Sequence, residues 1–128
     1  VDAEIAVAGF PFDGALGAAS MAFGRLADLR GIHGEPMIQR LAVATSDSEA
    51  GGPVFDMTGA VVGMVLPDMA AGRTLPRDVT LALRADLLSQ PLGAAGITPR
   101  IATRTEPLNP ERLARLGAEM TVSVSCWN

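Results

Sequence analysis

The sequence predicts a mainly β fold: a six-stranded antiparallel barrel with one C-terminal helix and a short helix-strand extension. Three observations point there. Short apolar runs of strand length follow one another closely, Gly and Pro breakers separate them, and one pair flanks a link of hairpin length. Such spacing favours a small antiparallel barrel over strand-helix-strand units.

Glu4-Ile5-Ala6-Val7-Ala8-Gly9-Phe10 is apolar and closed by Pro11, and Asp13-Gly14 supplies turn chemistry, so a first strand leaves into a loop. Residues 21–29 form a second strand ending at Gly31. The breaker Gly34-Glu35-Pro36 precedes a third over residues 37–44, with Ile38, Leu41 and Val43 on its buried side. Gly52-Pro53-Val54-Phe55 and residues 60–66 flank the polar link Asp56-Met57-Thr58-Gly59, the best-defined hairpin in the chain.

After the irregular residues 67–76, Val79-Thr80-Leu81-Ala82-Leu83 is a sixth strand. Residues 84–95 place Leu87, Leu88 and Leu92 as a short amphipathic helix would, limited by Gly93 and Gly96. Residues 97–108 lack periodicity and read as a surface linker, dividing a barrel domain of residues 1–98 from an extension of residues 99–128. In that extension Asn109 caps a helix, Pro110 fits its first turn, Glu111 favours its positive end and Gly117 stops it, giving residues 110–116. Val122, Val124 and Cys126 then alternate with polar residues as a final strand.

Composition excludes several functions. With 128 residues the chain is long enough for one core, and its net charge of −4 is scattered without basic or acidic blocks, so nucleic acid is not an expected partner. No apolar stretch reaches the ~20 residues that span a bilayer, and no signal segment opens the chain. A single histidine, His33, and a single cysteine, Cys126, provide no metal-ligand cluster, and no cofactor is expected. Cys126 is either a small apolar residue or one half of a disulfide to a segment outside this chain. Val1 is not an initiator methionine, which implies a processed or longer natural protein.

Ala50-Gly51-Gly52-Pro53-Val54-Phe55-Asp56, followed by Gly59-Ala60-Val61-Val62-Gly63, resembles the nucleophile loop and hairpin of trypsin-like serine proteases, especially the bacterial HtrA type, whose loop reads Gly-Asn/Asp-Ser-Gly-Gly-Pro. Residues 5–12 resemble the family's Val-Ala-Ile-Gly-Asn-Pro-Phe strand, Met37-Ile38-Gln39 its Phe-Ile-Gln strand, and residues 79–83 its Gly-Phe-Ala-Ile-Pro strand. The resemblance covers roughly residues 4–96, in the family's order. It implies the second of two barrels, with the catalytic His and Asp on a first barrel that this chain does not contain.

Serine proteolysis needs a hydroxyl, an imidazole to take its proton, a carboxylate to orient the imidazole, and N–H donors for the oxyanion. The resemblance places Ala50 at the hydroxyl position, and a methyl group has no lone pair with which to attack. Ser48-Glu49 also departs from the family's Gly-Asn/Asp, which favours natural loss over an engineered substitution. Ser48, two residues early, reads as a turn hydroxyl, His33 as an exposed loop residue, and Asp47, Glu49 and Asp56 as solvated charges. What would survive is the frame: an oxyanion-hole remnant over Ser48, Glu49 and Ala50, and a peptide-accepting strand over Val61, Val62, Gly63, Met64 and Val65.

The expected function is therefore a catalytically inactive trypsin-like lobe that binds a polypeptide along the former cleft. Two alternatives stand beside it: half of a genuine endopeptidase, and a structural or oligomerisation domain whose cleft the terminal segment fills. The expected partners are a polypeptide or a missing N-terminal protease lobe, and the resemblance implies a periplasmic or secreted location.

Overall fold

The computed structural model describes residues 2–10, 19–31, 34–45, 49–67, 76, 78–99 and 103–124. Six strands close into one antiparallel barrel: β1 (Glu4–Gly9), β2 (Ser20–Asp28), β3 (Ile38–Ala42), β4 (Pro53–Asp56), β5 (Val61–Val65) and β6 (Val79–Arg84). Around the ring they run β1-β2-β3-β6-β5-β4, and pairing of β1 with β4 seals it. A 3₁₀ turn (Ala85–Leu88), helix α1 (Ser89–Ala94) and helix α2 (Pro110–Met120) follow.

Side chains alternate across a strand, and β1 shows what each face meets. Ile5 and Val7 point inward, against Leu41, Val54, Val65 and Ala82. Ala6 and Ala8 point outward, against Phe55 and Leu113 of α2. A strand covered on both faces needs apolar residues at every position, which is why β1 is a continuous apolar run. The buried hydroxyl of Thr80 donates to the Val43 carbonyl at 2.7 Å and shares a 2.9 Å hydrogen bond with the Thr45 hydroxyl, so the barrel carries it at little cost.

The β4–β5 hairpin forms where its turn residues predict. Asp56 Oδ1 accepts from the Thr58 N–H at 2.9 Å, the Thr58 hydroxyl at 2.6 Å and the Ala60 N–H at 3.1 Å, while Gly59 takes φ +89°. A bulge between Val54 and Phe55 turns Val61 toward the outer cluster around Phe55 and Leu113.

The C-terminal third departs from the sequence expectations. Helix α2 runs through Gly117 to Met120. Gly117 is an interior packing position, since a Cβ there would collide with the Met21 side chain and press on Ala8 and Phe55 at 3.3 and 3.4 Å. Gly93 lies inside α1, and the positive φ of +82° falls at Gly96. No residue of the 3₁₀ turn or α1 is buried, so the leucines there seat no core face. The expected terminal strand is absent over residues 121–124, because all six strands pair around the closed ring and leave no edge for a seventh. Cys126 and the rest of that expectation lie outside the described residues.

Candidate functional site

The loop that enters β4 is held by its backbone. Gly51 takes φ +85°, a left-handed conformation that glycine adopts without penalty, and its N–H donates to the Val65 carbonyl at 2.8 Å. Val65 N–H returns a bond to the Gly52 carbonyl at 2.9 Å, and Gly52 N–H donates to the Glu49 carbonyl at 3.1 Å. A Cβ on Gly52 would strike the Ala8 carbonyl and come within 3.0 Å of the Glu49 carbonyl. Each glycine of Gly51-Gly52-Pro53 thus has its own reason, one torsional and one steric.

Glu49 is buried, at 8% exposure, and its side chain lies over Gly9, where a Cβ would stand 2.9 Å from Glu49 Cγ. It is not the solvated charge expected from sequence. The small residue at the end of β1 is what admits a long side chain beneath the loop. Asp56, by contrast, is committed to the hairpin turn, so Glu49 and Asp56 serve different local structures. Asp47, His33 and Ser48 lie outside the described residues.

Ala50 is exposed at the rim of a groove of about 380 Å³. Gly9, Phe10 and residues 49–53 form one wall, and residues 120–124 form the other. Val122 and Val124 are 75% and 84% exposed, so this segment borders the groove without packing into it. The alternation at 121–124, read from sequence as a strand, belongs instead to this wall. Of the donors around Ala50, the N–H groups of Gly51 and Gly52 are already spent on protein carbonyls.

Strand addition along Val61, Val62, Gly63, Met64 and Val65 requires an unpaired edge, and β5 does not offer one at Gly63, Met64 and Val65. It pairs with β4 through Val61, Gly63 and Met64, and with β6 through Gly63, Met64 and Val65. Leu66 N–H then donates to the Leu81 carbonyl at 2.9 Å, extending the pairing by one residue. Ring closure uses the hydrogen-bonding groups that a peptide would need.

Three solved structures share this architecture. One is a serine-to-alanine mutant, in inactive form, of Rv3671c from M. tuberculosis H37Rv, with TM-score 0.55 and 22% identity over 79% of this chain and 51% of that one. Rv3671c protease in its inactive form gives TM-score 0.54 and 23% identity over 75% and 49%. The active form of the M. tuberculosis protease gives 0.56 and 20% over 81% and 47%. The barrel has the trypsin-like fold. This trypsin-like lobe spans about half the length of those chains. Among curated proteins it is similar to the uncharacterized protein y4bJ of Sinorhizobium fredii strain NBRC 101917 / NGR234, 27% identical over 96% of this chain and 21% of that protein. No protein-family profile matches the chain.

Proposed function

We propose that this chain is a catalytically inactive lobe of the trypsin-like fold that holds a polypeptide in the groove beside Ala50. One observation carries the reading: the loop keeps its glycine geometry and opens on a groove, yet the residue exposed at the rim is an alanine. Without a hydroxyl, a covalent acyl step has no nucleophile at this position. The groove runs between the glycine loop and residues 120–124, so its walls set backbone groups beside apolar side chains such as Phe10, Met120 and Val122, which suits an extended peptide. The likeness of residues 50–63 to the HtrA-type loop and a periplasmic or secreted location belong to the same proposal.

Residues 120–124 favour a second reading, in which the groove is a structural feature closed by the protein's own C-terminal segment. A chain truncated after Met120 separates the two. Under the binding reading, truncation exposes the groove and extended peptides perturb the amide resonances of Gly9 and Gly51 more strongly than in the intact chain. Under the structural reading, peptides perturb neither chain, and truncation lowers the melting temperature instead.

A further inference from the structure

We propose that the groove between α2 and residues 103–108 is a docking site for an acidic stretch of polypeptide. Arg104, Arg112 and Arg115 line one pocket of about 180 Å³ there, together with Leu108, Leu116 and Glu119. Helical periodicity puts residues 112, 115, 116 and 119 on one face of α2. Leu113 and Gly117 are buried against the barrel, which fixes the rotation of the helix and so the direction of that face.

The segment opposite is also anchored. Leu108 N–H donates to the Met57 carbonyl at 2.7 Å, and Arg104 Nη1 lies 3.4 Å from the Thr58 carbonyl. Both cross the β4–β5 turn at Gly59, where a Cβ would stand 2.7 Å from Leu116 Cδ2 and 3.2 Å from Leu108 Cδ1. Glycine at the turn lets the apolar floor of the pocket settle onto the barrel.

The charge balance points to the ligand. Three guanidinium groups share this pocket with one carboxylate, in a chain whose net charge is −4. Ion pairs among the described residues engage Arg25, Arg40 and Arg84, and none of them includes Arg104, Arg112 or Arg115. Like charges gathered on one face repel one another, and a facing carboxylate relieves that repulsion while filling the planar guanidinium fork.

Shape narrows the class further. A second groove of about 370 Å³ continues along residues 103–107, shares Arg104, Leu108 and Arg112 with the first and adds the Glu106 carboxylate, so three guanidinium groups face two carboxylates over the whole site. A site extended in this way, with leucines between its arginines, matches an extended chain that alternates carboxylates with aliphatic side chains. A long polyanion such as nucleic acid would meet the negative field of the whole molecule, whereas a short acidic segment meets the local positive one. The site is separate from the groove at Ala50, and its test does not depend on that reading.

Fluorescence anisotropy of the intact chain with a labelled peptide alternating Glu and Leu tests the proposal, beside versions carrying Gln or Lys in place of Glu and a single-stranded oligonucleotide. The acidic peptide binds and the Gln and Lys versions do not. The double variant Arg112→Glu with Arg115→Glu weakens it by about tenfold, and so does raised salt. Arg84→Glu, outside the groove, leaves affinity unchanged. Arg112 and Arg115 are exposed, so circular dichroism of the double variant matches that of the parent. Absence of binding at millimolar peptide, equal binding of the Gln or Lys versions, indifference to the double variant, or tighter binding of the oligonucleotide would each overturn the assignment.

Discussion

Gly51 and Gly52 stand side by side in the loop and are needed for different reasons, which makes them separable by mutation. At Gly51 nothing lies within 4 Å of an added Cβ, so Gly51→Ala meets only the torsional cost of a left-handed residue, roughly 1–2 kcal/mol. At Gly52 the obstacle is backbone, the Ala8 carbonyl, which cannot swing aside as a side chain would. Urea denaturation is expected to rank Gly52→Ala as the more destabilising, and the reverse order would contradict the packing described here. Their neighbour Ala50 is exposed, so Ala50→Ser is expected to leave stability unchanged within about 0.5 kcal/mol. It is also expected to leave proteolysis at background, because removing any member of a serine triad leaves only about 10³ to 10⁴-fold over water. Casein turnover and fluorophosphonate labelling of the variant check this, and stoichiometric labelling at residue 50 would show that this chain contains its own base.

Two elements behave against their local signals. Helix α2 passes through a glycine because tertiary contact outweighs propensity: losing about 1 kcal/mol relative to alanine is offset by close approach of the helix to Ala8 and Phe55. Leu113 is the anchor of that approach and is fully buried, so Leu113→Ala is expected to cost about 2–5 kcal/mol by denaturant titration. β5 has the opposite history. Its apolar pattern suits peptide addition, but from Gly63 onward both of its edges are occupied. Amide exchange in Gly63, Met64 and Val65 is therefore expected to be slow in the free protein and unchanged by saturating peptide, and new protection there on adding peptide would count against the pairing.

The described residues form two apolar clusters, one inside the ring and one between its outer face and α2, and β1 and β4 contribute to both. Elements that share a strand in this way are expected to unfold together. Thermal melts followed by circular dichroism and by amide exchange should therefore coincide for the barrel and α2, and Leu113→Ala should lower both midpoints by roughly 10 °C. A separate early transition of α2 would show instead that the helix is a detachable appendage.

The six strands could be read from sequence because each is bounded by its own breakers and the hairpin by its own Asx-Gly turn, all local chemistry. Ala50 could be read for the same reason: a methyl group lacks a nucleophile in any fold. The barrel was legible, but the order in which its strands pair was not, and neither were the consequences of that order. Whether β5 offers an edge, or residues 121–124 find a partner strand, depends on which distant strands already hold the backbone hydrogen bonds. The burial of Glu49 over Gly9 and the passage of α2 through Gly117 are likewise relations between residues far apart in the chain, and the gathering of Arg104 with Arg112 and Arg115 depends on how residues 103–108 are anchored to the β4–β5 turn. Sequence determined which segments extend, where they turn and what chemistry position 50 lacks, because those depend on near neighbours. Only the tertiary structure decided which edges, faces and charges remain open to a partner, because that depends on what has already been paired across the barrel.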